Sequence, residues 1–126
     1  MKYRVFISQP MTGRTLEEVK QERENVIAIM RQLDKGLRTI GHTVEVADSF
    51  DEEAFKEHRN PLECLGDCIK VLSTCNVVVF VPGWEKSKGC CIEHQCAVDY
   101  DITTIMLKDT TPHIGSQHSD TDSYNK

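Results

Sequence analysis

Glu93 lies four residues after Gly89 in the segment Pro82-Gly83-Trp84-Glu85-Lys86-Ser87-Lys88-Gly89-Cys90-Cys91-Ile92-Glu93. On a helix that spacing puts the two residues on one face, one turn apart. Helical side chains lean toward the N-terminus, so the carboxylate is expected over Gly89, where no side chain blocks its approach to a ligand. A carboxylate so placed can attack the anomeric carbon of a sugar and divide one hard displacement into two easier ones. The transition state resembles an oxocarbenium ion, which the negative charge stabilises. The leaving group needs a proton, and Asp67, on the preceding helical segment, is the best-placed donor by chain order. Ser87 is a candidate helix cap, and backbone N–H groups at a helix start form a natural anion site. Trp84 is suited either to stacking on a base or to covering the edge of the core.

Each of these residues also has a plainer reading. A helical glutamate is most often solvated surface. Asp67 lies opposite the apolar stripe Leu62, Leu65, Ile69 and Leu72, which reads first as a solvent-facing carboxylate. Gly89 can be a loop residue and Ser87 only a cap. The elements around them have to separate these alternatives.

Residues 4–7 form a short apolar run of strand type, ended by the loop Ser8-Gln9-Pro10-Met11-Thr12-Gly13. Thr15-Leu16-Glu17-Glu18 has the form of a capping box, and Val19, Val26, Met30, Leu33 and Leu37 recur at helical spacing through about residue 38. Gly41 stands where a left-handed helix stop is expected, ahead of a second strand near Val44-Glu45-Val46. The acidic stretch 48–59 reads as a loop with at most a helical turn. Asn60-Pro61-Leu62-Glu63 is a strong helix start. Val77-Val78-Val79-Phe80-Val81 has the unbroken apolar pattern of a central parallel strand, stopped by Pro82-Gly83. A helix from roughly Ser87 to Tyr100 and a strand around residues 103–107 complete the order. Alternating strands and helices predict an α/β fold: one doubly wound, flavodoxin- or Rossmann-like domain over residues 1–108, with a parallel sheet of four to five strands. Ligands in such folds bind beyond the carboxyl ends of the strands, which nominates segments 8–15, 47–52 and 82–93. From Asp109 the chain is polar, and residues 109–126 are expected to form a disordered tail.

The length, 126 residues, suits one domain, and 39% hydrophobic with 28% charged residues is ordinary for a globular chain able to bury one core. A net charge of −5 argues against polymeric nucleic acid or an anionic membrane surface as partner, while leaving room for one small anionic ligand. No apolar run has membrane-spanning length, and the apolar part of the N-terminus is too short for a secretion signal. The six cysteines, with no CxxC pair, are therefore expected as reduced thiols in a cytoplasmic protein.

The segment Phe6-Ile7-Ser8-Gln9-Pro10-Met11-Thr12-Gly13 together with residues 82–93 resembles the nucleoside 2-deoxyribosyltransferase-like proteins. That superfamily includes small phage and bacterial domains of unassigned function and the 2′-deoxynucleoside 5′-monophosphate N-glycosidases. The resemblance covers about residues 4–107. Its most specific parts are S-x-G-x-x-x-E at Ser87, Gly89 and Glu93, and an aspartate at Asp67. It implies that Glu93 is the catalytic nucleophile and that Asp67 contacts or protonates the base. It also implies that Ser87 contacts a phosphate, and that the loop holding Ser8, Pro10, Met11 and Gly13 walls the pocket opposite Trp84 and Gly89. No cofactor or metal is implied. The partner implied is a small nucleoside or nucleotide, in a homo-oligomer of two or more chains. Many relatives carry a first-strand tyrosine that orients the glutamate; here that position is Phe6, with Tyr3 too far back to replace it.

Phe6 therefore favours a second expectation, a nucleotide-binding or sensing module without turnover. A third is a metal or redox site among Cys64, Cys68, Cys90, Cys91, Cys96 and His94. Against it, Cys90 and Cys91 diverge by about 100° around a helix, and buried thiols usually act as small hydrophobes.

Overall fold

The computed structural model describes residues 1–111. The first strand, β1 (Lys2–Ser8), ends at the Gln9–Arg14 loop, after which α1 (Leu16–Arg38) begins on the predicted cap. Thr15 Oγ1 accepts from the Glu18 N–H at 3.1 Å, and Glu18 Oε1 accepts from the Thr15 N–H at 2.9 Å. Gly41, at φ +86°, turns the chain into β2 (Thr43–Val46). The acidic stretch, expected as a loop with a helical turn, contains that turn as a short helix, α2 (Glu52–Lys56), capped by Asp51. Asn60 caps α3 (Pro61–Leu72), its Oδ1 accepting from the Leu62 and Glu63 N–H groups. Then follow β3 (Val77–Phe80), a single 3-10 turn (Trp84–Lys86), α4 (Lys88–Asp99) and β4 (Thr103–Met106).

The four strands are parallel in the order β2-β1-β3-β4. Alternate residues sort the core onto two faces, as strand geometry requires. Val5, Ile7, Val77, Val79 and Val81 pack with Val26 and Met30 of α1. Phe6, Val78 and Phe80 pack on the other face with Leu72 of α3 and Ala97 of α4. The chain is thus wound left from β1 through α1, then right through α3 and α4, and the reversal falls between β1 and β3. Val77–Phe80 is buried throughout, as its composition predicts for a central strand.

Two of the predicted stripes are only partly buried. Leu33 of α1 is 41% exposed although Leu37, one turn further on, is half-buried. Leu33 stands about 60° around the helix from the buried Met30, at the margin of the stripe. Leu62 of α3 is 75% exposed, since the first turn of that helix has no neighbour in either core cluster. No described helix is long and apolar enough to cross a membrane. The tail expected over 109–126 lies outside the described residues apart from its first three.

Candidate functional site at the carboxyl edge of β1 and β3

Ser8 closes β1 on the same face as Phe6, and pairs in register with Phe80 of β3. Its side chain therefore points to α4 at the point where the winding reverses, the usual ligand-binding crevice of such sheets. Gly83, at φ +91°, supports the turn that leaves β3. Ser87 then caps α4, accepting from the Cys90 N–H at 3.3 Å. Helix phase carries Glu93 back over the sheet edge. There the Ser8 hydroxyl donates to Glu93 Oε1 at 2.6 Å, with Ser8 1% and Glu93 6% exposed.

The Glu93 carboxylate has no cation within ion-pair distance among the described residues. Burial pushes its acid dissociation up to about 7, and the Ser8 hydrogen bond opposes that shift. Two thiols flank it. Burial, reinforced by the Glu93 charge, pushes Cys68 of α3 up to about 12. Burial likewise raises Cys90, against hydrogen bonds from Ser8 and Ser87. Both are protonated thiols near neutrality, inert as nucleophiles. Among the described residues, no three His, Cys, Asp or Glu side chains gather as a metal site would need.

Residues 3–106 match the family described as Domain of unknown function (DUF4406). The chain belongs to that family. No curated protein and no solved structure matches it. The matched DUF4406 region takes in every strand and helix except the first residue of β1, and both halves of the Ser8–Glu93 pair.

Within the DUF4406 fold the other nominated residues separate into groups. Gly89 faces α3, and a Cβ built there would meet nothing nearer than Leu65 Cδ1 at 3.9 Å. The space above it would accept a methyl group, so the glycine is not a packing requirement. Trp84 covers the edge of the core: its ring lies 5.0 Å from Phe80 and 4.7 Å from His94, tilted 31° to the latter. Asp67 is not brought against Glu93 by any hydrogen bond or ion pair. Its side chain is 57% exposed and its Oδ2 lies 3.1 Å from Arg59 Nη2. It lines a shallow groove of about 360 Å³ with Asp48–Glu53 and Val71. Pro10, Met11 and Gly13 form a braced loop. Arg14 Nη1 donates to the Pro10 carbonyl and to Glu22, and Gln9 Nε2 donates to Glu22 and to the Val19 carbonyl.

Three features escaped the sequence reading. Ser8 was expected as a pocket wall, but it is the direct partner of the glutamate; its signal is two-residue alternation, which puts Ser8 on the face of Phe6. Gln9 is buried with its Oε1 unpartnered. Arg23 is buried at 7% exposure, and its signal was available: it stands between Val19 and Val26 on the core-facing stripe of α1, where a charged residue is out of place.

Proposed function

We propose that the chain cleaves the N-glycosidic bond of a nucleoside or nucleoside 5′-monophosphate, with Glu93 as nucleophile. The observation that carries this reading is a buried carboxylate, with no cation at ion-pair distance among the described residues and held by one hydroxyl, at the reversal point of a doubly wound sheet. Keeping such a group ionised in the interior opposes folding, and groups of this kind concentrate at functional sites. Ser8 holds Oε1, which leaves Oε2 for the sugar. Attack at the anomeric carbon forms a C–O ester as the C–N bond breaks; the bond's electron pair leaves with the base, which takes its proton from solvent. Water or a second base then displaces the sugar and frees the carboxylate. The resemblance of the Ser87, Gly89 and Glu93 segment to the deoxyribosyltransferase-like proteins supports the same reading, with Ser87 contacting a phosphate. In this reading the protein acts in the cytoplasm as a homo-oligomer.

The second reading is a nucleotide-binding module without turnover. Asp67, the expected proton donor to the base, is engaged with Arg59 instead, and this favours it. The test is incubation with 2′-deoxynucleosides and their 5′-monophosphates, with and without an acceptor base, followed by chromatography of free base. Base release that disappears in Glu93→Gln supports the enzyme. Saturable binding with no release at high protein concentration selects the module.

A further inference from the structure

β4 forms one edge of the sheet, paired to β3 alone. The Thr103 N–H bonds to the Asn76 carbonyl and the Leu107 N–H to the Phe80 carbonyl. Main-chain direction alternates along a strand in a parallel ladder. Thr103, Ile105 and Leu107 therefore turn their polar groups to β3, while Thr104 and Met106 turn theirs outward. Among the described residues no hydrogen bond reaches those outward groups. Apolar side chains are exposed on both faces of this edge. Ile105, in register with Val79, is 38% exposed on the α1 face, and Met106, in register with Phe80, is 43% exposed on the α4 face. Thr103–Met106 carries neither a charge nor a proline, the usual devices that keep an edge from pairing.

The opposite edge is guarded. In β2 the N–H groups of Thr43 and Ala47 bond to the β1 flank, which turns Val44 outward, and the Val44 N–H is taken by Asp34 Oδ1 at 2.7 Å. A head-to-tail contact of β4 with β2 of another copy, which would grow into an open chain, meets that carboxylate. β4 against its own copy, antiparallel about a two-fold axis, meets no such guard. With Ile105 on the axis, Thr104 of each copy lies opposite Met106 of the other, and the outward N–H and carbonyl groups of both residues find partners. The two Ile105 side chains meet on one face, and Met106 meets Thr104 on the other, as cross-strand pairs. Charge is complementary in the same arrangement. Asp99 and Asp101 are exposed ahead of the amino end of β4, and Lys108 is exposed just past its carboxyl end. The two-fold sets each Lys108 beside the acidic end of the other strand. Asp109, which follows it, accepts from the Thr111 N–H at 2.9 Å.

We propose that β4 pairs with β4 of a second copy of this chain, joining two sheets into one across a two-fold axis. Such a contact uses one patch twice and closes after two copies. It deepens the homo-oligomer of the proposed function by naming the surface that makes it. Its readout is assembly, so a chain that releases no base leaves the inference standing.

The test is sedimentation equilibrium of the full chain from micromolar to millimolar concentration, where a monomer–dimer equilibrium is expected. Hydrogen exchange read by nuclear magnetic resonance should show the Thr104 and Met106 amides protected in concentrated protein and exchanging about tenfold faster or more on dilution. The Leu107 amide, bonded to Phe80, should not change. Thr104→Pro removes an outward N–H and no bond to β3, and Ile105→Lys sets two like charges together on the axis. Each should raise the dissociation constant about tenfold or more while keeping the circular dichroism of the parent. Lys108→Glu should weaken the dimer by an amount that shrinks as salt rises. If the strand variants do not fold, the exchange measurement on the parent decides alone. A monomer at every concentration overturns the proposal, as does a dimer that the folded variants leave unchanged. Equal protection of the Thr104 and Met106 amides at all dilutions also overturns it, and assigns the edge to a segment of the same chain.

Discussion

Ser8 and Glu93 are 85 residues apart in the chain, yet the hydroxyl of one is bonded to the carboxylate of the other inside the protein. The bond joins the end of β1 to the second turn of α4 across the reversal of the sheet. Phe6, which the resemblance sets where an orienting tyrosine is expected, is core, and a hydroxyl comes instead from two residues further along the same face. The hydrogen bond expected to be missing is therefore supplied from another position.

Glu93→Gln preserves shape and removes the nucleophilic charge. Base release is expected to fall by on the order of a thousandfold or more, as for other nucleophile deletions. Chromatographic release assays on folded variant protein check this, and intact release removes Glu93 from the chemistry.

The same substitution carries a pH-dependent effect on stability. Glu93 dissociates near 7 in the folded protein against an ordinary value of 4.5. Below about 4.5 the group is protonated in both states and its contribution to stability is fully present. As pH rises from there through 7, the unfolded chain ionises first and the contribution is lost. At about 1.36 kcal/mol per pH unit the loss is about 3 kcal/mol. Urea unfolding of parent and Glu93→Gln at pH 4.5 and pH 8 should therefore show the variant gaining relative stability by roughly that amount. Equal differences at both pH values would place the carboxyl in an ordinary solvated environment.

Ser8→Ala removes the one hydrogen bond that favours the ionised glutamate. Such a bond to a charged group contributes about 1.5–3 kcal/mol. The ascending limb of the pH–rate profile, set near 7 by Glu93, should move to more alkaline pH by about one to two units. At pH 6 the variant loses more rate than at pH 9, whereas a purely structural defect would lower both equally.

Gly89→Ala tests whether the bare face before Glu93 is kept for a ligand. A methyl group there meets only Leu65 at ordinary contact distance. Alanine is also the better helix former, by about 1 kcal/mol at interior positions. Melting temperature should be unchanged or higher while base release falls. Full activity in a stable variant would mean that substrate does not approach over this face.

The winding of the fold was legible because its signals are local. The Thr15 and Asn60 caps, the apolar run at Val77–Val81 and the stop at Gly41 each follow from a few neighbouring residues. The degree of burial was not legible, as Leu33 and Leu62 show, because periodicity gives the rough direction of a side chain but not whether a neighbouring element covers it. Of the site, Glu93, Ser8, Ser87 and Gly89 come together at one edge, since all belong to two segments joined by adjacent parallel strands. Asp67 is nominated as proton donor by chain order, while its phase, opposite the Leu62, Leu65, Ile69 and Leu72 stripe, already reads as solvent-facing. The structure agrees with the phase, and Arg59, close in sequence and opposite in charge, holds it toward the exposed groove.

The triangle of Gln9, Glu22 and Arg14 fastens the first loop to α1 through the chain's own side chains. A molecule docking against this wall meets a surface whose freedom was already given up when the chain folded, so little further ordering is needed there. Association should then be governed by access to the crevice and not by the loop finding its shape.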